Sequence, residues 1–179
     1  MDIKQDIKEF ISSLKISEDG SLLYGGERMV FTTSVLMSIA FTAAPYDKFG
    51  DTMRTVYRRG ISKYGREMAK ENEHLGARGA FENMLKFFGK LGWGRPEIIE
   101  FSDVKIVFRV YSSLYGKEVG DYLKLRGIQP MATCPFGYAA EGVLNYFAEK
   151  EGKPPVLSEE VKCTAKGDAF CEFIVIRQI

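Results

Sequence analysis

Apolar residues recur along this chain at two spacings, and the spacing separates helices from strands. Ile3, Ile7, Phe10, Ile11 and Leu14 share one helical face, so residues 2–14 read as an amphipathic helix that Glu18-Asp19-Gly20 ends. Residues 28–31 read as a short strand, and Val35, Leu36, Ile39 and Ala40 as a helix that Pro45 interrupts. A long helical pattern follows over about 47–73, with Phe49, Met53, Val56, Tyr57, Gly60, Tyr64 and Met68 as its inward stripe. Arg59, Lys63, Arg66 and Lys70 lie opposite, interleaved with Glu67 and Glu71, as expected of a solvated face. Gly60 and Gly65 each cost this helix about 1 kcal/mol relative to Ala, and close helix packing is the expected compensation.

Another helix is expected over 77–91, ending at Gly92, and strands over 96–101 and 104–111. A short helix over 116–126 precedes a clear one after Pro135, whose stripe is Phe136, Ala140, Val143, Leu144 and Phe147. Pro154-Pro155 separates it from two runs of alternating polarity joined at Lys166-Gly167-Asp168, the signature of a β-hairpin. Helices packed on an antiparallel sheet, an α+β design, is the fold class these elements predict. No repeat, low-complexity tract or linker divides the chain. The expected organisation is an N-terminal helix and turn over 1–27 and one globular unit over 28–179.

Composition changes this picture little, but it excludes partners. With 25 basic and 24 acidic residues the net charge is +1, which argues against a dedicated nucleic-acid binder. Charges at Asp2, Lys4, Asp6, Lys8 and Glu9 leave no secretory signal in the first ten residues. The uncharged stretch 29–46 contains Thr32, Thr33, Ser34, Ser38, Thr42 and Pro45 and makes a poor membrane span. A cytoplasmic protein with reduced thiols, without a membrane or direct nucleic-acid partner, is expected.

Under those conditions three cysteines become the candidate chemistry. If the hairpin loop is only residues 166–168, Cys163 and Cys171 fall opposite each other, with Cβ atoms roughly 4.5–5.5 Å apart. Cys134 precedes Pro135 at a helix N-cap, where the helix dipole favours a thiolate. Convergence of the three would make a soft metal site, to be completed by carboxylate, water or substrate. Spacing alone leaves ordinary buried cysteines, a cross-strand disulfide and a redox-sensing pair as alternatives. His74, the only histidine, stands beside Glu71 and Glu73 and reads as a solvated helix-end residue.

Cys134, Gly137-Tyr138-Ala139-Ala140-Glu141-Gly142, Glu160-Val161-Lys162-Cys163, Gly167-Asp168 and Cys171-Glu172-Phe173 together resemble the 4-vinyl reductase domain family. Gly60, Gly65 and Leu91-Gly92-Trp93-Gly94 fit its middle section more loosely. The resemblance implies a fold similar to the nitric-oxide sensor domains and the Golgi transport-particle subunits. It also implies a small-molecule-binding domain, as in the sensory domains of aromatic-responsive transcription activators, and kinship with a factor linked to bacteriochlorophyll synthesis. In the aromatic sensors a zinc ion is held by three cysteines and one glutamate. Carried over residue by residue, the Zn2+ ligands are Cys134, Glu160, Cys163 and Cys171.

Strict strand alternation places Glu160 on the face opposite Cys163, so Glu160 joins its cysteines only if the strand begins late, bends, or bulges near Val161. Met53, Tyr57, Tyr64, Phe87, Phe88, Trp93 and Tyr138 are candidates to line an apolar cavity. No Gly-x-Gly-x-x-Gly turn follows a strand, so the expected activity is binding rather than catalysis. The function these signs imply is a zinc-stabilised sensor or carrier domain that encloses an apolar or aromatic molecule. It would act as a homodimer or through a partner protein. An enzyme or accessory factor in tetrapyrrole metabolism and a thiol-based redox switch are the alternatives.

Overall fold

The computed structural model of the protein describes residues 3–17, 22–24, 27–29, 48, 51–113, 116–127 and 134–178. Helix α1 (Ile3–Ser13) leads into three short antiparallel strands, β1 (Lys15–Ile16), β2 (Leu22–Tyr24) and β3 (Glu27–Met29). The helix stops before the expected Glu18-Asp19-Gly20. The Ser12 and Ser13 hydroxyls donate to the Glu9 and Phe10 carbonyls, a local alternative to further helical turns, and Lys15 then pairs with Leu23. Phe10 packs against Tyr24 at 4.8 Å between ring centroids, and Tyr24 lies 6.5 Å from Phe87. The expected helix through Val35 and Ala40 lies outside the described residues, as does the stretch 29–46 apart from Met29. Among the described residues no helix is long and apolar enough to cross a membrane.

The main body is built from α2 (Asp51–Glu71), α3 (Gly76–Lys90), β4 (Arg95–Phe101), β5 (Lys105–Tyr111), α4 (Lys117–Leu125), α5 (Pro135–Lys150), β6 (Val156–Lys162) and β7 (Cys171–Arg177). Its four strands pair in the order β4-β5-β7-β6, all antiparallel, and α3 and α5 cover one face. The inward positions of β5 and β7 alternate as a half-buried sheet requires. Ile106, Phe108 and Val110 on β5 and Cys171, Phe173 and Val175 on β7 are buried, and their neighbours are not. Phe108 stacks on Phe173 at 4.7 Å and meets Phe81 of α3 edge-on at 5.4 Å.

Helix α5 is buried nearly all round instead of along one stripe, because α2, α3 and the sheet enclose it. Its closest approach is to α2. A Cβ on Gly65 would overlap the Ala139 carbonyl oxygen, and one on Gly142 would overlap the Ser62 carbonyl oxygen, so the helix backbones meet directly. Gly60 has no such neighbour. This contact fixes the rotation of α2 and corrects its expected inward stripe: Gly65, Met68 and Ala69 are buried, whereas Val56, Gly60 and Tyr64 are exposed. The basic face is solvated as expected, with Arg66 paired to Glu149 and Lys70 to Glu67 at 2.9 Å. Arg58 turns inward and grips the buried Glu141 of α5 with two hydrogen bonds, 2.6 and 3.0 Å. His74 sits exposed in a single 3-10 turn between α2 and α3.

Candidate metal centre

Three separated segments bring the candidate ligands together. Cys134 is the N-cap of α5, with Pro135 at the first helical position. Cys171 opens β7 on its inward face. Glu160 stands near the end of β6, where the expected bulge occurs: Glu160 pairs with Phe173, yet Lys162 pairs with the adjacent Glu172, leaving Val161 as the extra residue. Residues opposite each other in a ladder point to the same face, so Glu160 faces inward with Phe173. Alternation then restarts at Lys162, which faces outward with Glu172, and Cys163 turns in and is buried. The bulge thus resolves the conflict between strand alternation and a shared Glu160 and Cys163 site.

The ligand atoms of Cys134, Glu160 and Cys171 all lie within 4.8 Å of one another. Cys163 stands beside this trio and interacts with the Cys171 sulfur and the Glu160 carboxylate. All three cysteines are free thiols, which sets aside the cross-strand disulfide in this structure. The three-residue hairpin loop is corrected. The strands end at Lys162 and begin again at Cys171, and residues 163–170 form a longer loop with a 3-10 turn over Thr164–Lys166 and Gly167 at φ 103°. Asp168 closes it by accepting the Cys163 N–H at 2.8 Å. The loop folds this way because its own hydrogen bonds, not the ladder, satisfy the backbone after Cys163. In consequence Thr164 reaches Cys171, with its N–H donating to Sγ at 3.5 Å and its Oγ1 lying 3.4 Å from the same sulfur.

These contacts order the acidities. The Cys134 and Cys163 thiols, then the Thr164 N–H and hydroxyl, donate to Cys171 and hold its thiol well below the usual range despite burial. Burial drives the Cys134 thiol well up, helped by interaction with Cys171 and the Glu160 charge, and this outweighs the contact with the helix N-terminus at Phe136. The expectation that the helix dipole would favour a thiolate at Cys134 is therefore corrected: desolvation wins. Interaction with Cys171 and then burial push the Cys163 thiol up. Burial, then the Cys171 charge, push Glu160 up to about 8 against the pull of Cys163 and the Cys134 N–H. The Cys134 N–H donates to Glu160 Oε2 at 3.4 Å, while Oε1 is buried with no hydrogen-bond partner. An orphaned buried carboxylate oxygen beside three thiols is a donor set with capacity left for a cation. Sulfur and carboxylate together suit zinc, and the protons on Cys134, Cys163 and Glu160 are those a divalent ion would displace.

Of the residues proposed to line a cavity, four gather around Phe136, two positions after Cys134. Phe88 is buried, stacks on Trp93 at 4.7 Å and meets Phe136 edge-on at 5.2 Å. Phe87 and Tyr64 lie 5.8 and 6.5 Å from Phe88. Tyr138 is buried and faces away from that group, under the Arg58 guanidinium at 5.7 Å. Tyr57 is half-buried on α2, and the side chain of Met53 lies outside the described residues.

Sequence reasoning missed several supporting residues. Ser113 is buried with its Oγ 3.7 Å from the Cys134 sulfur, and nothing in its local sequence marks it. Glu141 accepts the Ser158 N–H at 2.7 Å as well as Arg58, tying β6 to α5 beside the site. The signal available for Glu141 was an acid set in the apolar run Tyr138-Ala139-Ala140 and Gly142-Val143-Leu144. Asn145 completes this seam by donating to the Val156 carbonyl at 3.0 Å and accepting its N–H at 2.6 Å.

The fold is shared with solved proteins. The phenol-responsive sensory domain of the transcription activator PoxR, solved with phenol, is similar at a TM-score of 0.69 and 16% identity, over 98% of this chain and 90% of that one. This likeness establishes the α+β arrangement expected from the sequence. A trafficking protein particle complex subunit 3 from Naegleria fowleri, solved covalently bound to palmitic acid, aligns at a TM-score of 0.46 and 15% identity, over 82% of this chain and 95% of that one. No curated protein matches the sequence. Residues 127–177, which carry all three cysteines and Glu160, match the model of the 4-vinyl reductase domain, and the resemblance read from the cysteine motif is borne out over that segment.

Proposed function

We propose that the protein is a zinc-stabilised binding domain that encloses a small apolar or aromatic molecule and passes its presence to a second copy or a partner protein. The observation that carries the metal reading is the convergence of Cys134, Glu160 and Cys171 within 4.8 Å, with Glu160 Oε1 buried and unsatisfied. Cys163, Cys134, Glu160 and Cys171 would hold the ion. Zinc would supply structural crosslinking, tying the start of α5 to both strands of the terminal hairpin. The chain's own residues prepare this. The Val161 bulge turns Glu160 inward, Thr164 donates to Cys171, and Asp168 holds the backbone of Cys163.

The ligand reading is supported by the fold shared with a phenol-responsive sensory domain and by the aromatic group of Phe88, Trp93 and Phe136. Phe136 belongs to the same helix end as Cys134, so a molecule lodged among these rings would press on the segment that the metal holds. The chain's single tryptophan stands in this group, which makes intrinsic fluorescence a direct probe. Native mass spectrometry of protein purified under reducing conditions is expected to show one zinc per chain. Titration with phenol and larger aromatic alcohols is expected to shift the Trp93 emission saturably. A metal-free, fully folded protein would refute the zinc reading, and an emission spectrum unmoved by any such compound would refute the aromatic-ligand reading.

A further inference from the structure

The sulfurs of the candidate centre are nearly closed off from solvent. Cys134, Cys163 and Cys171 are 6%, 2% and 0% exposed and share a buried cluster with Phe136, Val110 and Phe173. A hydrated divalent cation cannot cross that apolar side without losing its shell to nothing. On the other side lies a cavity of about 430 Å³, between α4 and the loop 163–170, with Ser113 and Thr164 in its wall. Their hydroxyls are the ones that touch the sulfurs among the described residues, Ser113 at Cys134 and Thr164 at Cys171. Asp121 and Lys124 of α4 and Asp168 and Ala169 of the loop line the same space.

The two walls are seated firmly on each other. A Cβ on Gly120 would overlap the Ala165 carbonyl oxygen, and one on Gly116 would overlap the Thr164 hydroxyl, so α4 rests directly on the cysteine loop. The cavity is therefore a fixed feature of the contact between α4 and the loop. Its lining also has the right chemistry for a hydrated cation: carboxylates of Asp121 and Asp168, then hydroxyls able to hydrogen-bond to its water, then sulfur.

We propose that this cavity is the vestibule of the metal centre, through which a hydrated divalent cation enters and leaves and where its exchange rate is set. The inference rests on the zinc reading above and adds a route to it. Ser113 and Thr164 act as the threshold, holding the cation's water while the buried ligands replace it.

The test separates kinetics from equilibrium. Ala169→Trp narrows the vestibule from the loop, and Lys124→Trp narrows it from α4. Neither residue is a metal ligand or touches one. Lys86→Trp, in the unrelated groove between α3 and β4 that Glu82 and Arg95 line, is the control. Zinc-loaded full-length protein is mixed with excess chelator and the release rate is followed, and affinity is measured separately by competition. Both vestibule variants are expected to release zinc about tenfold more slowly, equivalent to about 1.4 kcal/mol on the exit barrier, with affinity unchanged and the control at the wild-type rate. Release at the wild-type rate from both variants would overturn the vestibule while leaving the zinc centre standing. Slowing in the control as well would also overturn it. A wild-type protein that takes up no zinc would remove both.

Discussion

Replacing Glu160 by Gln should move the stability of the empty protein and its affinity for zinc in opposite directions. Glu160 has a folded pKa of about 8 against an ordinary 4.5, raised chiefly by burial. Because the folded value is the higher one, the empty fold takes up a proton at this position. The contribution of Glu160 to stability is fully present below about pH 4.5 and is lost as the pH rises through about 8. At about 1.36 kcal/mol per unit, ionising the buried carboxylate removes about 3 kcal/mol at pH 7 and about 5 kcal/mol above pH 8. Gln has the same shape and no charge to bury. Metal-stripped Glu160→Gln should match wild type near pH 4.5 and exceed it by about 3–5 kcal/mol at pH 8.5. With zinc present the order reverses, since the variant lacks a ligand, and affinity should fall by more than the 10–100-fold loss typical of an outer hydrogen-bonding partner. Denaturant titrations at the two pH values, with reductant and chelator, give the first comparison, and zinc competition gives the second. A variant no more stable than wild type at pH 8.5, with undiminished zinc affinity, would show that Glu160 neither buries its charge nor faces the site.

Gly142→Ala should destabilise the protein by about 1–3 kcal/mol, because its Cβ would overlap the Ser62 carbonyl oxygen in the contact between α2 and α5. Urea denaturation checks this, and a change under about 0.5 kcal/mol would contradict the close approach. Thr164→Val keeps the shape but removes the hydroxyl beside the Cys171 sulfur, so zinc affinity should drop by about 10–100-fold with little change in the fold; competition titration and circular dichroism read the two effects. Zinc uptake at pH 7 should release about three protons, from Cys134, Cys163 and Glu160, since these are held protonated while Cys171 is not. Affinity should then fall steeply as the pH drops below 8. Calorimetry in two buffers of different protonation enthalpy counts the protons, and release near zero would contradict the ordering of acidities.

Long periodic segments were legible because their pattern and their burial have one cause. Helix α5 announced itself through Pro135 and its apolar stripe, and β5 and β7 through alternation. The rotation of α2 was not legible. Gly65 and Gly142 fix it by backbone contact between segments far apart in sequence, and that contact leaves Tyr64 exposed where its hydrophobicity predicted burial. At the candidate site the residue types were readable, as was the need for a bulge near Val161, because alternation alone made Glu160 and Cys163 incompatible. The acidity of Cys134 was not, since it depends on how deeply the helix end is buried, and a helix dipole is a weak term beside desolvation. Ser113 and Thr164 were invisible for a similar reason: a hydroxyl acquires its role from the sulfur that the fold places next to it.

The most direct test is X-ray absorption at the zinc edge on the purified, reduced protein, with Cys163→Ser measured in parallel. The expected spectrum has three sulfur neighbours at about 2.3 Å and one oxygen at about 2.0 Å, falling to two sulfurs in the variant. A wild-type spectrum without sulfur neighbours, or one that the loss of Cys163 leaves unchanged, would contradict the four-ligand centre on which the proposed function stands.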